Sequence, residues 1–388
     1  MLSQPRRLMH TQHVPTQWLT IKEEALPDGP FTLARLPGVG SLSPAHSALF
    51  AAVRTISPGR VAVLGPGSVP TALWAARSGA TVRHFVDSIA EAASLSATLS
   101  RNRLAGVTSH PDWQAAASAA ETCDLALLHL PRGRKLQQQL LQLSGALLRP
   151  GGRLIFVGAK NEGIKSAVHD AARIYGRAGV VSRKGGYHAA MATRPAAAIS
   201  PPQVVFTTHP IVVDSVQTEL VACAGAFAPD RLDDGAAALI TAMQIVPGTR
   251  VLDLGCGTGL VALAAARQGA DVIAADVSAR AVASAQRTLA ANGYPSATVH
   301  LCCGAAAIGD ATIDTVVTNP PFHKGHDVSF EVSQLFVREA ARVLKPGGSI
   351  TLVANLHLDY GRWLKQHFAN AGTAYENNRF RVWHATKH

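Results

Sequence analysis

The residues best placed to do chemistry form the run Asp253-Leu254-Gly255-Cys256-Gly257-Thr258-Gly259, an acid followed by Gly-x-Gly-x-Gly. Glycines at this spacing let the chain leave a strand in a sharp turn, and they let a ligand approach the backbone more closely than a Cβ would allow. Asp276 lies 17 residues beyond Gly259, at the end of the next apolar run, where a carboxylate can accept two hydrogen bonds from a ribose diol. A dinucleotide turn would read Gly-x-Gly-x-x-Gly and would place a pyrophosphate at a helix N-terminus. Here the third glycine comes one residue early and Asp253 precedes the first, and an acid there repels a pyrophosphate. The pattern suits a ligand whose near end is cationic or zwitterionic.

A second constellation, Thr318-Asn319-Pro320-Pro321-Phe322-His323-Lys324-Gly325, follows the strand-like run from Thr315 to Thr318. Consecutive prolines cannot continue a sheet and carry no N–H, so the carbonyls of Asn319 and Pro320 face outward without competing donors. Such an acceptor array can hold an exocyclic amine between the Asn319 side-chain carbonyl and the Pro320 backbone carbonyl, its lone pair turned toward a methyl donor, while Phe322 offers a face for stacking. No strong base is required if binding aligns amine and methyl. Catalysis is assigned to Asn319, Pro320, Pro321 and Phe322. S-adenosylmethionine presents both an amine and a sulfonium to an acid placed as Asp253 is, and contacts to it are expected from Asp253, Gly255, Cys256, Gly257, Gly259, Asp276, Val277 and Asn319.

The elements that must position these residues are written twice. VAVLGPG, from Val61 to Gly67, has a counterpart in VLDLGCG, from Val251 to Gly257, at an offset of 190, and VRHFVDS, carrying Asp87, matches VIAADVS, carrying Asp276, at an offset of 189. CDLALLHLPRG around Asp124 matches IDTVVTNPPFHKG around Asp314, and LLRPGGRLIFVGAK matches VLKPGGSITLVAN. Each half reads as strand, glycine turn, helix and strand in alternation, with short β-branched runs of the kind that are buried on both faces. The fold class expected is α/β, two tandem Rossmann-like domains from an internal duplication with mostly parallel sheets. The Pro-rich stretch TRPAAAISPPQ marks the join, giving domains 1–197 and 205–388 with a linker at 198–204.

The copies differ in chemistry. Val63 stands opposite Asp253 and Val69 opposite Gly259, and His129-Leu130-Pro131-Arg132 replaces Asn-Pro-Pro-Phe. Asp87 survives, but alone it reads equally well as a capping acid. The first half is expected to be a degenerate copy.

Of 388 residues, 36 are Lys or Arg and 25 Asp or Glu, a net +11 that makes polyanions the first partners to consider. The excess is segregated, with 22 cations against 10 acids in residues 1–204 and 14 against 15 in 205–388. Arg132, Arg134, Lys135, Lys160 and Lys165, joined by His323 and Lys324 beside the target site, are expected to form a phosphate-tracking surface. Apolar runs are too short to span a membrane, and the N-terminal residues lack the apolar core of a signal peptide. Five cysteines without CxxC spacing suit a reducing cytoplasm. No metal site is expected from the spacing of the histidines, and a monomer is expected.

VLDLGCGTG, AADVS and the later KPGG turn resemble the class I S-adenosylmethionine-dependent methyltransferases. Asn-Pro-Pro-Phe resembles the signature of those acting on planar amino groups: adenine N6, guanine N2 or the glutamine side-chain amide. With the duplication and the degenerate first half, the chain is similar to the bacterial ribosomal RNA guanine-N2 methyltransferases, both those of type C, for small-subunit RNA, and those of type G, for large-subunit RNA. The resemblance implies a ribosomal RNA or ribosomal-subunit substrate, a first half that binds substrate and stabilises its partner, and, through FAPDRLDDG, cofactor contacts from Arg231 and Asp233. The family's acid after the third strand of the site is absent, with Gly304 in its place; Asp310 is the candidate substitute. Other readings are an adenine-N6 or glutamine-N5 methyltransferase, against whose protein substrate the basic first half speaks, and a non-catalytic RNA-binding assembly factor or a nicotinamide oxidoreductase, which are separated by the cofactor that the second half binds.

Overall fold

The computed structural model describes residues 16–53, 59–111, 122–321 and 328–388. After a hairpin of β1 (Thr20–Leu26) and β2 (Gly29–Arg35), the first half runs α1 (Pro44–Ala52), β3 (Arg60–Leu64), α2 (Val69–Arg77), β4 (Thr81–Phe85), α3 (Ile89–Arg101), β5 (Val107–His110), β6 (Cys123–His129), α4 (Arg134–Leu147), β7 (Leu148–Ala159), α5 (Ile164–Tyr175), β8 (Ala178–Lys184) and β9 (Tyr187–Thr193). The second half repeats this plan. Its hairpin is β10 (Phe206–Val213) and β11 (Val216–Cys223), followed by α6 (Asp234–Ala242), β12 (Arg250–Leu254), α7 (Leu260–Arg267), β13 (Asp271–Asp276), α8 (Ala279–Ala291), β14 (Thr298–Leu301), β15 (Ile313–Thr318), α9 (Val328–Val343), β16 (Leu344–Asn355), α10 (Gly361–Leu364), β17 (Ala369–Glu376) and β18 (Phe380–Thr386).

Two seven-stranded sheets result, ordered β5-β4-β3-β6-β7-β9-β8 and β14-β13-β12-β15-β16-β18-β17, in which only β9 and β18 run against the rest. This is the α/β fold of two tandem Rossmann-like domains. The central strands β3 and β12 are buried beyond their first residue, as strands covered by helices on both faces must be. Chain order reverses between β12 and β15, so a crevice opens where their C-terminal ends diverge. The glycine turn and Asn319 sit there.

Strand register corrects one expectation. Arg60 pairs with Thr81 and Leu64 with Phe85, just as Arg250 pairs with Asp271 and Leu254 with Ala275. The offset is therefore a constant 190 through this region, and the counterpart of Asp276 is Val86; Asp87 stands opposite Val277. Matching acid to acid slides the comparison by one residue, and the first half has neither the acid of Asp276 nor the glycine of Gly259.

Asp87 serves the junction between the halves. Ser88 and Ser278 form an antiparallel bridge, flanked by hydrogen bonds from the Ile89 N–H to the Val277 carbonyl (3.1 Å) and from the Ala279 N–H to the Asp87 carbonyl (3.0 Å). The Asp87 carboxylate accepts from the Ser278 hydroxyl and from the Arg280 N–H, capping the second domain's α8 rather than its own helix. Arg35 of β2 adds a two-pronged ion pair to Glu331 of α9 (2.7 and 2.8 Å), and Trp18, Cys303 and Leu335 pack into the first domain's core. Asp87→Ala would leave the Arg280 N–H and the Ser278 hydroxyl without their acceptor and should lower the unfolding free energy by about 1–2 kcal/mol, seen as a lower urea midpoint at constant slope. An unchanged midpoint would mean that the bridge carries no stability.

Candidate cofactor and target site in the second domain

The chain leaves β12 through Gly255, Gly257 and Gly259, whose φ angles are +79°, +53° and +83°. Their roles differ. A Cβ on Gly255 would stand 2.8 Å from the Phe336 ring, and one on Gly259 2.9 Å from Ala285 of α8, so both allow close packing. Among the described residues, no heavy atom beyond its chain neighbours lies within 4 Å of where a Gly257 Cβ would be, and Gly257 is the turn position with room beside it. Cys256 packs its thiol in the core, where burial pushes its pKa well up; only its backbone serves the turn, the N–H bonding to the Ala275 carbonyl at 3.0 Å.

Two acids brace this turn. Asp276 accepts from the Gly257 N–H (2.9 Å) and the Ser278 N–H (2.9 Å), joining the glycine turn to the start of α8. Asp253 is buried and accepts from the Ala262 N–H in the first turn of α7 at 2.9 Å. Burial pushes its carboxyl up to about 7, with the Ala262 N–H opposing and the charge of Asp276 adding; burial likewise raises Asp276. Two carboxyls held above their ordinary range beside an open glycine make a site that gains from a positive charge. The donor set fits S-adenosylmethionine and would not fit a pyrophosphate.

Across the crevice, the Thr318 hydroxyl donates to the Leu254 carbonyl (2.7 Å) and pins the end of β15 to that of β12. Asn319 donates its Nδ2 to Asp233 Oδ2 (3.1 Å), and the same oxygen accepts from the Gly235 N–H (3.0 Å) and the Ala236 N–H (3.3 Å) at the start of α6. With Nδ2 held by a carboxylate, Asn319 Oδ1 is left as an acceptor. A Cβ on Gly235 would lie 3.0 Å from Asp233 Oδ2 and 3.1 Å from Asn319 Oδ1 and would crowd both. The resemblance of FAPDRLDDG implies Asp233 at the cofactor but not its link to Asn319, for which Asp-x-Gly at a helix start is the sequence signal. Pro320 is buried and Pro321 exposed. Phe322, His323 and Lys324 lie outside the described residues.

Other expected residues stand apart from this cluster. Arg231 is exposed and pairs with Asp230 (3.2 Å). Val277 packs its side chain against the first domain's core and gives its carbonyl to Ile89. Asp310 does not replace the missing acid. It pairs with Arg342, which also holds Glu339 (2.8 Å), and it precedes β15, at the end of the sheet opposite Asn319. Cys302 and Cys303 are packed, and burial pushes their thiols up to about 11 and about 12.

At the constant offset, the first domain has Ser43, Val63, Val69, Val86 and His129 where the second has Asp233, Asp253, Gly259, Asp276 and Asn319. His129 bonds to the Thr71 hydroxyl (2.8 Å) and lies 4.7 Å from the His46 ring. Burial pushes His46 down to about 4 and His84 to about 3, so both are neutral. Glu91 takes over the Gly67 N–H (3.1 Å), and a cavity of about 230 Å³ remains beside Gly67, His46 and His129. Of the basic residues, Arg132 pairs with Glu162 (2.9 Å) and Arg134 with Asp170 (2.9 Å). Lys135, Lys160 and Lys165 are exposed and make no ion pair among the described residues. Leu136, beside Arg134 and Lys135, stands 2.9 Å from where a Gly225 Cβ would be, which puts these cations beside the second half. Among the described residues, no group of three His, Cys, Asp or Glu could hold a metal ion, and no helix is long and apolar enough to cross a membrane.

Comparison with known proteins gives a consistent result. Residues 217–384 match the family described as Methyltransferase small domain, and residues 74–180 match Methyltransferase small domain N-terminal. The Ribosomal RNA small subunit methyltransferase C of Hahella chejuensis is 33% identical over 267 residues, covering 68% of this chain and 78% of the relative. That of Shewanella loihica is 33% identical over 270 residues, with coverage of 68% and 78%. The solved 16S rRNA N2 G1207 methyltransferase (RsmC) of T. thermophilus, in complex with AdoMet and guanosine, superposes with a TM-score of 0.80 at 30% identity, covering 95% of this chain and 98% of that one. The chain belongs to the ribosomal RNA small subunit methyltransferase C family.

Proposed function

We propose that this protein transfers a methyl group from S-adenosylmethionine to the exocyclic N2 amine of a guanine in small-subunit ribosomal RNA, with the second domain performing the chemistry and the basic first domain holding RNA. The observation that carries the reading is the Asp233–Asn319 hydrogen bond, which orients an amide oxygen at the end of β15, the strand beside the one that leads into the glycine turn. The family and its T. thermophilus member support the nucleotide and the cofactor.

Gly257 and Asp276 would hold the nucleoside part of the cofactor, and Asp253 would balance its cationic end. When bound, S-adenosylmethionine supplies an electrophilic methyl. The guanine N2 lone pair is conjugated with the ring and is a poor nucleophile until its N–H groups are oriented. Asn319 Oδ1 and the Pro320 carbonyl accept those hydrogens and aim the nitrogen at the methyl. The proton released on methylation passes to water, since neither acceptor is a strong base.

Asn319→Ala should lower kcat about 100-fold, the usual scale for one oriented polar group that acts in the transition state. Activity within twofold of the parent would rule out the acceptor array. A second test uses pH. Asp253 is protonated in the free protein below about pH 7, and a cationic ligand binds its ionised form, so affinity for S-adenosylmethionine should fall as pH drops through that value, approaching about tenfold per unit. Asp253→Asn should flatten this dependence in an equilibrium titration between about pH 6 and about pH 8; a slope that persists would remove Asp253 from the cation's surroundings.

A further inference from the structure

We propose that a cleft beside α9 and α10 of the catalytic domain grips the RNA strand flanking the target guanine, stacking a base on Phe330, which the buried Trp363 backs edge-on, and holding a phosphate at Arg338. The proposal rests on the RNA-methylation reading and deepens it. The cleft has a volume of about 410 Å³, and its walls are Trp18 and Pro37 from the first half, Gln334 and Arg338 from α9, and Trp363 and His367 from α10 and the turn after it.

Its chemistry is cationic and aromatic. The Arg338 guanidinium stands over the Trp18 indole at 5.7 Å and makes no ion pair among the described residues. Arg362 stands over Trp363 at 5.0 Å, and Lys365 and His367 are exposed beside it. The nearby acids are largely committed. Glu331 is doubly bonded to Arg35, Glu339 is buried on Arg342, and Asp359 is the exposed exception. A domain whose 14 cations fall short of its 15 acids thus concentrates positive charge on this face.

Phe330 is 43% exposed, unusual for so large an apolar side chain, and meets Trp363 edge-on with ring centroids 6.0 Å apart. An exposed aromatic bordered by arginines is the arrangement that takes single-stranded nucleic acid, where bases stack and phosphates meet guanidinium groups. Its place in the fold is also right. Phe330 lies in the first turn of α9, 11 residues after Asn319, and α10 follows the C-terminal end of β16, the neighbour of β15. The cleft therefore opens on the same sheet edge as the acceptor array, where the strand must continue once the target base has been turned out of its stack.

The test uses the full-length protein with small ribosomal subunits that lack the modification. Arg338→Ala and Phe330→Ala, both at exposed side chains, should each raise the KM for subunits about tenfold with kcat and S-adenosylmethionine affinity within about twofold of the parent. Arg338→Ala should also reduce the slope of log KM against log salt by about one. A benzophenone side chain introduced at Gln334 should crosslink to ribosomal RNA on irradiation. Unchanged KM and salt slope in both variants would overturn the proposal, as would crosslinks confined to ribosomal protein. If the parent itself transfers no methyl to the subunits, the functional reading fails instead, and that failure is visible before any variant is compared.

Discussion

A single carboxylate oxygen, Asp233 Oδ2, joins the parts of this site. It accepts from two N–H groups at the start of α6 and from the side-chain amide of Asn319. The first two bonds satisfy donors that every helix start leaves open. The third transmits the position of that helix to the end of β15, and it decides which end of the asparagine amide is available to a ligand. Thr318, bonded to the Leu254 carbonyl, fixes the same strand end to the glycine turn. The cofactor face and the target face of the crevice are thereby held to one another through two adjacent residues.

The first domain shows what the scaffold does without that oxygen. Ser43 occupies the helix cap and His129 the strand end, and the space between is taken up by two neutral imidazoles. Val63 and Val86 remove both acids, and the carboxyl that remains, Glu91, is engaged by the Gly67 N–H. The backbone plan survives because the buried strands and the Gly65 turn are packing requirements; a Cβ at Gly65 would collide with the His129 carbonyl at 1.9 Å. Fold and chemistry have separate residue requirements, and the two halves differ only in the second.

What was legible in the sequence was local. Glycine turns, β-branched strands and the Asn-Pro-Pro break are determined by neighbours a few residues apart, and these gave the doubled α/β plan, Asp276 and Asn319. Pattern alone treated Gly255, Gly257 and Gly259 alike, whereas the fold packs two of them against Phe336 and Ala285 and leaves one open. The slip between Asp87 and Asp276 arose because chemical type was matched where only strand register could decide. Asp310 was considered for its charge, and the direction of β15 puts it at the wrong end of the sheet. The bonds that orient the site and the junction cross 86 residues between Asp233 and Asn319 and 296 between Arg35 and Glu331, distances over which no periodicity speaks.

The cap that Asp87 places on α8 bears on the history of the duplication. With one copy capping the first turn of the other copy's helix, beside Ser278 and Asp276, the half without the two acids is part of the ground plan of the half that keeps them. A descendant that discarded it would expose the Ser278 hydroxyl and the Arg280 N–H to water and loosen the loop that carries Asp276. Such a duplicate can drift in its own pocket, trading acids for histidines and valines, yet it cannot be deleted without loosening its sister. The silence of the first domain is thus confined to its pocket, and its junction edge stays under the same constraint as the catalytic centre.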